Sequence, residues 1–319
     1  MPISFAGTLS EHRSVRTDSG FFDVSHMGRF DIDNSYIEKL NSLICGDILN
    51  HKSGTALYTM ILNHNSGVLD DVIIWKFDSN LVLVCNASNK EKITSWFDEN
   101  KLEYQNINSE TSLIAVQGPQ VVNKLQKYIN LPDHFECRVE SPSFIDSEIL
   151  IARTGYTGED GFELMIKHGD DIKFIDLIEQ LNIVPCGLGS RDTLRLEASL
   201  PLYGQELNES LTPIDVGFKW IVDFDHDFIG KEILLKQIKT GKHKYLKKFV
   251  ITDKIVARQG DLAMSNSIKG IVTSGNYSPI LKKSIGFVLF ESKPESDSIK
   301  INIRDKLING QLIKGKFIG

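Results

Sequence analysis

The 319-residue sequence is poor in cysteine, and its four thiols, Cys45, Cys85, Cys137 and Cys186, lie scattered with no close pair. That spacing speaks against a cysteine-based metal site and against a disulfide scaffold, and it fits a reducing compartment. No apolar run approaches the roughly 18 residues that a membrane span needs, so no membrane partner is expected. The first residues, MPISFAGTLSEHRSVR, lack the apolar core of a secretory leader and are not the acid-poor, arginine-rich helix of a transit peptide. A cytoplasmic protein is the expectation. Basic excess is missing too: 36 Lys and Arg against 42 Asp and Glu leave a net charge of −6, which disfavours general nucleic-acid binding. One local exception is Lys236 to Lys248, KQIKTGKHKYLKK, with six lysines and no acid. It reads as a solvated linker into a new domain, with a docking surface for an acidic partner or a polyanionic ligand tail as the other reading. The HExxH, P-loop, EF-hand and G-x-S-x-G patterns are all absent. Neither a metal nor a covalent nucleophile is therefore expected, and the chemistry has to come from positioning a reactive substrate or cofactor.

What is present is an ordinary globular composition, 41% hydrophobic and 24% charged, long enough for two or three domains. Tyr36, Ile37, Leu40, Leu43 and Ile44 mark an amphipathic helix capped by Asn34 or Ser35. Further helices are expected over Ile93, Trp96 and Phe97, after Pro119, over Ile172 to Leu181, and from Thr193 to Leu200. Strands are expected at 72–77, 81–85, 112–116, 149–153 and 162–166. They do not alternate regularly with the helices, so an α+β arrangement is favoured over a doubly wound sheet. Beyond residue 245 short β-rich segments (247–251, 268–273, 284–290, 299–304, 311–316) separated by turn residues have the rhythm of a small antiparallel barrel or sandwich. The expected organisation is a region 1–225 of two intertwined α+β domains, the lysine-rich boundary, and a C-terminal β-barrel domain over 245–319.

The densest motif is Arg153-Thr154-Gly155-Tyr156-Thr157-Gly158-Glu159-Asp160-Gly161, followed by Phe162-Glu163-Leu164. Three glycines at spacing three between apolar runs describe a tightly bent hairpin tip. A tip carrying a tyrosine and carboxylates suits gripping a small polar ring, although soluble turn residues look much the same. Asp70-Asp71 open the strand VIIW. Successive strand side chains point to opposite faces, so both carboxylates cannot face one pocket; either one sits at the strand mouth, where desolvation tunes it for acid–base or positioning work, or both are solvating groups at the end of a turn. Asn86, after LVLVC, can donate to and accept from a heterocycle edge, or cap a helix. GLGSRD at 187–192 is an incomplete dinucleotide fingerprint; it is better read as Ser190 at an N-cap with Arg191 in the first turn, a cation set against the helix dipole that either pairs with a buried carboxylate or a ligand anion or is a simple surface arginine. In Asp23-Val24-Ser25-His26 the adjacent Ser and His do not meet in triad geometry, and His26 reads as a structural hydrogen bonder.

In order along the chain, FFDVSHMG, SGVLDDVII, VCNASNKEK, AVQGP, RTGYTGEDGFEL, GLGSRDTLRLEASLPLYGQEL, TPIDVGFKW, DFIGKEIL and VTSGNYSP resemble the glycine cleavage system T protein. The resemblance runs from Met1 almost to the last residue. It implies a three-domain clover-leaf fold around a folate-binding funnel, with a β-barrel-like last domain, and aminomethyltransferase activity. On that reading the aminomethyl group carried by the lipoylated H protein passes to tetrahydrofolate, the co-substrate, with release of ammonia and formation of 5,10-methylenetetrahydrofolate. By the same resemblance Asp71 lies beside the N5/N10 edge of the folate as the catalytic group, and Glu163 grips the pterin N3 and 2-amino group. Tyr156 and Asn86 line the pterin pocket with the backbone of Val84 and Gly155, while Met27, Tyr58 and Trp220 add apolar walls. Arg191 and Arg258 support the site or meet the benzoyl-glutamate end. Ser66 and Ser199 stand where the family often has glycine, and the usual N-terminal helix and its Phe-Gly-Trp stretch precede the point where the resemblance begins. A tetrahydrofolate-dependent demethylase and a non-catalytic folate-binding regulator share the fold and are the alternatives. An iron–sulfur assembly factor of the same fold carries a Lys-Gly-Cys-Tyr-x-Gly-Gln-Glu motif that is not found here.

Overall fold

Apolar residues recur every second position along the strands of the first 190 residues, and neighbouring positions are often apolar as well, so both faces of each sheet must be covered. In the structure, a computed structural model describing residues 1–253 and 255–318, that requirement produces a layered arrangement. One sheet has the strand order Val184–Pro185, Gly20–Asp23, Thr111–Gln117, Gly161–Lys167, Ile149–Ala152, Cys137–Glu140. The other runs Thr55–Leu62, Val68–Lys76, Asn80–Cys85, Gly28–Asp33, Gln105–Asn106. Nearly all pairings are antiparallel, the exception being Gly20–Asp23 beside Val184–Pro185. Phe22, Leu113, Ala115 and Met165 from the first sheet share a core with Ala56, Trp75, Val82 and Val84 from the second. The alternate residues face outward. Ile114, Val116, Phe162, Leu164 and Ile166 meet Val121, Leu125, Phe174 and Ile178 of the helices Val121–Leu125 and Asp170–Gln180. Phe30, Ile32, Ile74, Leu81 and Leu83 meet Leu40, Ile93 and Phe97 on Ile37–Asn41 and Lys90–Glu99.

The third unit closes on itself as a six-stranded barrel: Tyr245–Ile251, Lys283–Phe290, Ile268–Ser278, Leu262–Ser265, Ser298–Ile303, Lys306–Ile313 and back to the first. Closure removes the exposed edges that short strands would otherwise leave. The α+β class and the barrel anticipated from the turn rhythm are both found. Lys254 and Gly319, inside the expected 245–319 domain, lie outside the described residues.

Several local expectations change. The cap before Tyr36 is Asp33, whose carboxylate accepts from Ser35 N at 2.8 Å, and a single 3-10 turn, Asn34–Tyr36, precedes the helix. The helix placed at Thr193 begins at Leu188 and ends at Glu197 with Gly187 as its cap, so Ser190 lies within its first turn. The side chain that serves this N-terminus is remote in sequence. Glu11, on the helix Thr8–Thr17, accepts from Gly187 N (2.8 Å) and Ser190 Oγ (3.0 Å), and with its other oxygen from Phe5 N and Ala6 N. The lysine-rich run is no extended linker either: it spans the end of the helix Lys231–Thr240 and the start of a barrel strand, leaving only residues 241–244 between them. Both serines at family glycine positions hold a left-handed backbone, with φ of 63° at Ser66 and at Ser199. Each has a use for its hydroxyl. Ser66 Oγ donates to Gly230 O at 2.5 Å, and Ser199 Oγ accepts from Phe317 N at 3.1 Å.

Candidate functional site

The inter-sheet core does not extend the full length of the strands. On Val68–Lys76 the inward positions read Asp71, Ile73, Trp75; on Gly161–Lys167 they read Glu163, Met165; on Thr55–Leu62, Ala56 then Tyr58. Apolar packing thus gives way to polar side chains on the same strand faces, and there the sheets part around a cavity of about 510 Å³.

One wall carries the acid pair. Asp71 lines the cavity, while Asp70 is fully buried behind it. Both meet the side chain of Asn86, whose Nδ2 donates to Asp70 Oδ1 and Asp71 Oδ1 at 2.8 Å each. Asp70 also accepts from Asn86 N at 2.9 Å and Asn89 Nδ2 at 2.6 Å. The carboxylates thus lie back to back across one amide, as strand alternation requires, and only one of them faces the cavity. Burial, then the charge of Asp71, push Asp70 up to about 7, against the hydrogen bonds from Asn86 and Asn89. Burial likewise raises Asp71. Tyr58 Oη donates to Asp71 Oδ2 at 3.2 Å, and burial with the adjacent carboxylate drives that phenol well above its ordinary value, keeping it a donor.

The hairpin tip forms the facing wall. Gly155 is required by a close approach: a β-carbon there would stand 1.9 Å from Gln117 Oε1, and Gly158 has φ of 83°. Gln117 in turn donates to Thr154 O and accepts from Thr157 Oγ1, fixing the tip. Arg153 grips Asp160 through two hydrogen bonds of 2.9 and 2.6 Å, and Arg16 holds Glu159 at 3.0 Å, so those two carboxylates are engaged in shaping the turn. Glu163 is oriented by Thr154 Oγ1, which donates to Oε2 at 2.6 Å. The Tyr156 hydroxyl donates to Pro201 O, and its ring lies 4.9 Å beneath the Arg191 guanidinium. Arg191 Nη1 is buried without a hydrogen-bond partner among the described residues. One turn further along the same helix Arg195 is satisfied by Asp192, Gln205, Glu206 and Ser274, at 2.9 to 3.0 Å, which ties the cavity wall to the barrel.

Of the residues singled out from the sequence, Asp71, Met27, Tyr58, Val84, Asn86, Gly155, Tyr156, Glu163 and Arg191 all line this cavity. Two do not. Trp220, in the short turn Lys219–Ile221, is 73% exposed, packs against the Phe218 ring and borders a separate cleft with Phe224 and Gly46. Arg258 is exposed on a barrel loop, where its Nη1 donates to Gly275 O at 3.3 Å. His26, read as structural, lines the cavity, and burial together with Arg191 lowers its basicity. Its neighbour Ser25 is engaged with the backbone of Leu113 instead. Arg195, Tyr203 and Gln205 also line the cavity and were not singled out. Arg195 carried a usable signal, since it stands four residues after Arg191 and so on the same helix face.

The first 226 residues match the family model described as the GCVT N-terminal domain, and residues 244–318 match the glycine cleavage T-protein C-terminal barrel domain. The chain belongs to the glycine cleavage T-protein family. An aminomethyltransferase of Thermosipho melanesiensis is 41% identical, over 99% of this chain and 90% of its own length. One from Thermoanaerobacter sp. is 39% identical over 99% and 91%. Among solved structures, the glycine cleavage system aminomethyltransferase T from Bartonella henselae superposes with a TM-score of 0.90 at 27% identity, covering all of this chain and 91% of that one. The likeness thus extends over both sheets and the barrel. Among the described residues no helix is long and apolar enough to cross a membrane, and no group of three His, Cys, Asp or Glu could hold a metal ion.

Proposed function

We propose that this chain is a tetrahydrofolate-dependent aminomethyltransferase that takes the one-carbon unit of the aminomethyl-lipoyl H protein, releasing ammonia and forming 5,10-methylenetetrahydrofolate. The observation that carries the reading is the pairing, across one cavity, of a buried carboxylate, Asp71, with a second one, Glu163, held in orientation by Thr154.

The cavity suits a folate. Its apolar walls, Met27, Val84 and Leu202, would take the flat ring, and Arg191 Nη1 lacks the acceptor that a buried guanidinium requires. Glu163 would accept from adjacent ring N–H groups, for which a carboxylate is the matching bidentate partner. When bound, the folate supplies the amine nitrogens that accept the carbon. Asp71, oriented by Tyr58 and Asn86, would hold a proton or a developing positive charge beside those amines, with proximity supplying most of the acceleration. The demethylase and the non-catalytic regulator considered from the sequence are not favoured, because the curated relatives are aminomethyltransferases over almost the whole chain.

Mixing the protein with tetrahydrofolate and aminomethyl-loaded H protein should yield ammonia and methylenetetrahydrofolate in equal amounts. Asp71→Asn should lower turnover by about a hundredfold or more with folate affinity nearly kept. Folate binding with no ammonia release from the unaltered protein would contradict the enzyme reading. Full turnover in the Asp71 variant would remove that residue from the chemistry.

A further inference from the structure

Two asparagines stand at helix starts, and neither side chain caps one. Asn86 precedes the turn Ala87–Asn89, and Asn89 precedes the helix Lys90–Glu99, with no side-chain cap bond at either. A capping side chain stabilises a helix start, so both positions forgo an ordinary gain. Their donors go to Asp70 instead. Asp70 Oδ1 accepts from Asn86 Nδ2 at 2.8 Å and from Asn89 Nδ2 at 2.6 Å, while Oδ2 accepts from Asn86 N at 2.9 Å. Asp70 is fully buried, Asn89 is buried beside it, and neither lines the cavity. No lysine, arginine or histidine pairs with Asp70 among the described residues. A carboxylate is costly to bury in this way, and an apolar residue would fill the strand position without that cost.

The amide between the two acids is fully committed. One Nδ2 hydrogen of Asn86 goes to Asp70 and the other to Asp71 Oδ1, also at 2.8 Å. Turning the amide over would set its oxygen against two carboxylates, so the pair fixes its orientation. Tyr58 holds the other Asp71 oxygen at 3.2 Å. Asp70 therefore grips both the backbone and the side chain of the residue that places Asp71.

We propose that Asp70, which does not reach the cavity, is a positioning residue of the transfer reaction: through Asn86 it aims the Asp71 carboxylate, and its charge makes Asp71 the stronger proton acceptor. The inference rests on the functional reading above. The charge of Asp71 helps to raise Asp70 to about 7, and such coupling is reciprocal, so an ionised Asp70 strengthens the hold of Asp71 on a proton. Asp71 then takes the proton that an attacking amine gives up as its nitrogen bonds to the carbon. It returns that proton to the nitrogen that leaves as ammonia, so one N–H bond breaks and one forms. The other groups facing Asp70 do not change charge between pH 5 and pH 8. Burial pushes the Cys85 thiol far above its ordinary value and raises the Tyr203 phenol as well. Lys92, which donates to Leu69 O and to Tyr203 Oη, is paired with Glu209 at 2.8 Å, and Lys90 bears on Cys85.

The test uses the full chain with Asp70→Asn and, separately, with Asn89→Ala, both outside the cavity lining. Carboxyl stretches are followed by infrared difference spectroscopy across pH 5 to pH 9 without ligand. Turnover is followed over the same range with tetrahydrofolate and the loaded carrier protein. The unaltered protein should show a buried carboxyl losing its proton near pH 7, with kcat rising through the same pH. Asp70→Asn should abolish both inflections and lower kcat about tenfold at pH 8 and less at pH 6, with the KM for folate kept within about twofold. Asn89→Ala removes a donor to the ionised form and should move both inflections to higher pH; if Asp70→Asn does not fold, that shift decides alone. A residue that only packs would lower kcat by the same factor at every pH. The proposal is overturned by that result, by superimposable kcat profiles for the parent and Asp70→Asn, or by a folate KM that rises as far as kcat falls. Absence of ammonia from the unaltered protein strikes the functional reading instead. The hold of Asp70 on Asp71 is then judged by the infrared titration, where two carboxyls that titrate independently would overturn it.

Discussion

Asp70 is the residue whose environment asks most of it. It is fully buried, it lies next to another carboxylate, and it accepts from Asn86 N, Asn86 Nδ2 and Asn89 Nδ2. Burial and the charge of Asp71 outweigh those donors and raise its pKa to about 7. A carboxyl whose folded-state pKa exceeds its unfolded value holds its proton more tightly in the native state. Its contribution to stability is present at low pH and is lost as pH rises from about 4 to about 7, at no more than about 1.4 kcal/mol per pH unit. Urea unfolding of the protein and of Asp70→Asn from pH 5 to pH 8 should show the variant gaining on the parent with each step and levelling off above pH 7. A pH-independent difference would mean that Asp70 stays ionised throughout. The sequence made the DD pair visible, and strand alternation correctly set one carboxylate apart from the other. What it could not show is that a single asparagine sixteen positions on from Asp70 would hold both, because that depends on how two strands and the loop between them and a helix come together.

Elements in this protein are secured by side chains far away in sequence. The helix Leu188–Glu197, which carries Arg191 and Arg195 into the cavity wall, receives its cap from Glu11 on the helix Thr8–Thr17. Periodicity could locate the body of the later helix, but its first residue is set by a partner about 175 positions earlier, which no local propensity encodes. The hairpin was the opposite case: its glycines and its two strands were legible, because turn chemistry and strand pattern are local, whereas the role of Glu163 came only from the family resemblance. Burial alone would raise the Glu11 pKa, yet hydrogen bonds from Gly187, Phe5 and Ala6, with that from Ser190, hold it below its ordinary value. A depressed carboxylate contributes stability that is present above its unfolded pKa and lost as pH falls. Glu11→Gln should therefore destabilise the protein by about 2 kcal/mol at pH 7 and by less as the pH approaches 4. Loosening this helix should also weaken folate binding through Arg191, although Glu11 lies outside the cavity lining. Unchanged folate affinity in a destabilised variant would show that the helix keeps its place without the cap.

Across the molecule, the two sheets share one core while the barrel keeps its own. Trp75 and Val82 of one sheet, Phe22 and Met165 of the other, and the thiols Cys137 and Cys186 belong to a single apolar cluster. Cys85 lies on the outer face of the second sheet, and Cys45 lies where that sheet meets the segment 207–234. The barrel is packed around Phe249, Val288 and Phe290 and contains no cysteine. The scatter of thiols that argued against metal and disulfide in the sequence therefore labels the N-terminal two-sheet body and leaves the barrel dark. All four cysteines are buried, and burial pushes Cys45 up to about 11 and Cys137 and Cys186 to about 12, with Cys85 higher still. At pH 8 a thiol with a pKa near 11 is ionised about one part in a thousand, and the thiolate is the reactive species. The native protein should resist a thiol reagent for hours at that pH. As urea rises, Cys85, Cys137 and Cys186 should become reactive at one midpoint, because sheets that share a core cannot expose one face without the other. Separate midpoints for Cys85 and Cys186, resolved by mass spectrometry of the labelled peptides, would show that the sheets open independently, and the cavity between them would then owe its shape to the bound folate rather than to the shared core.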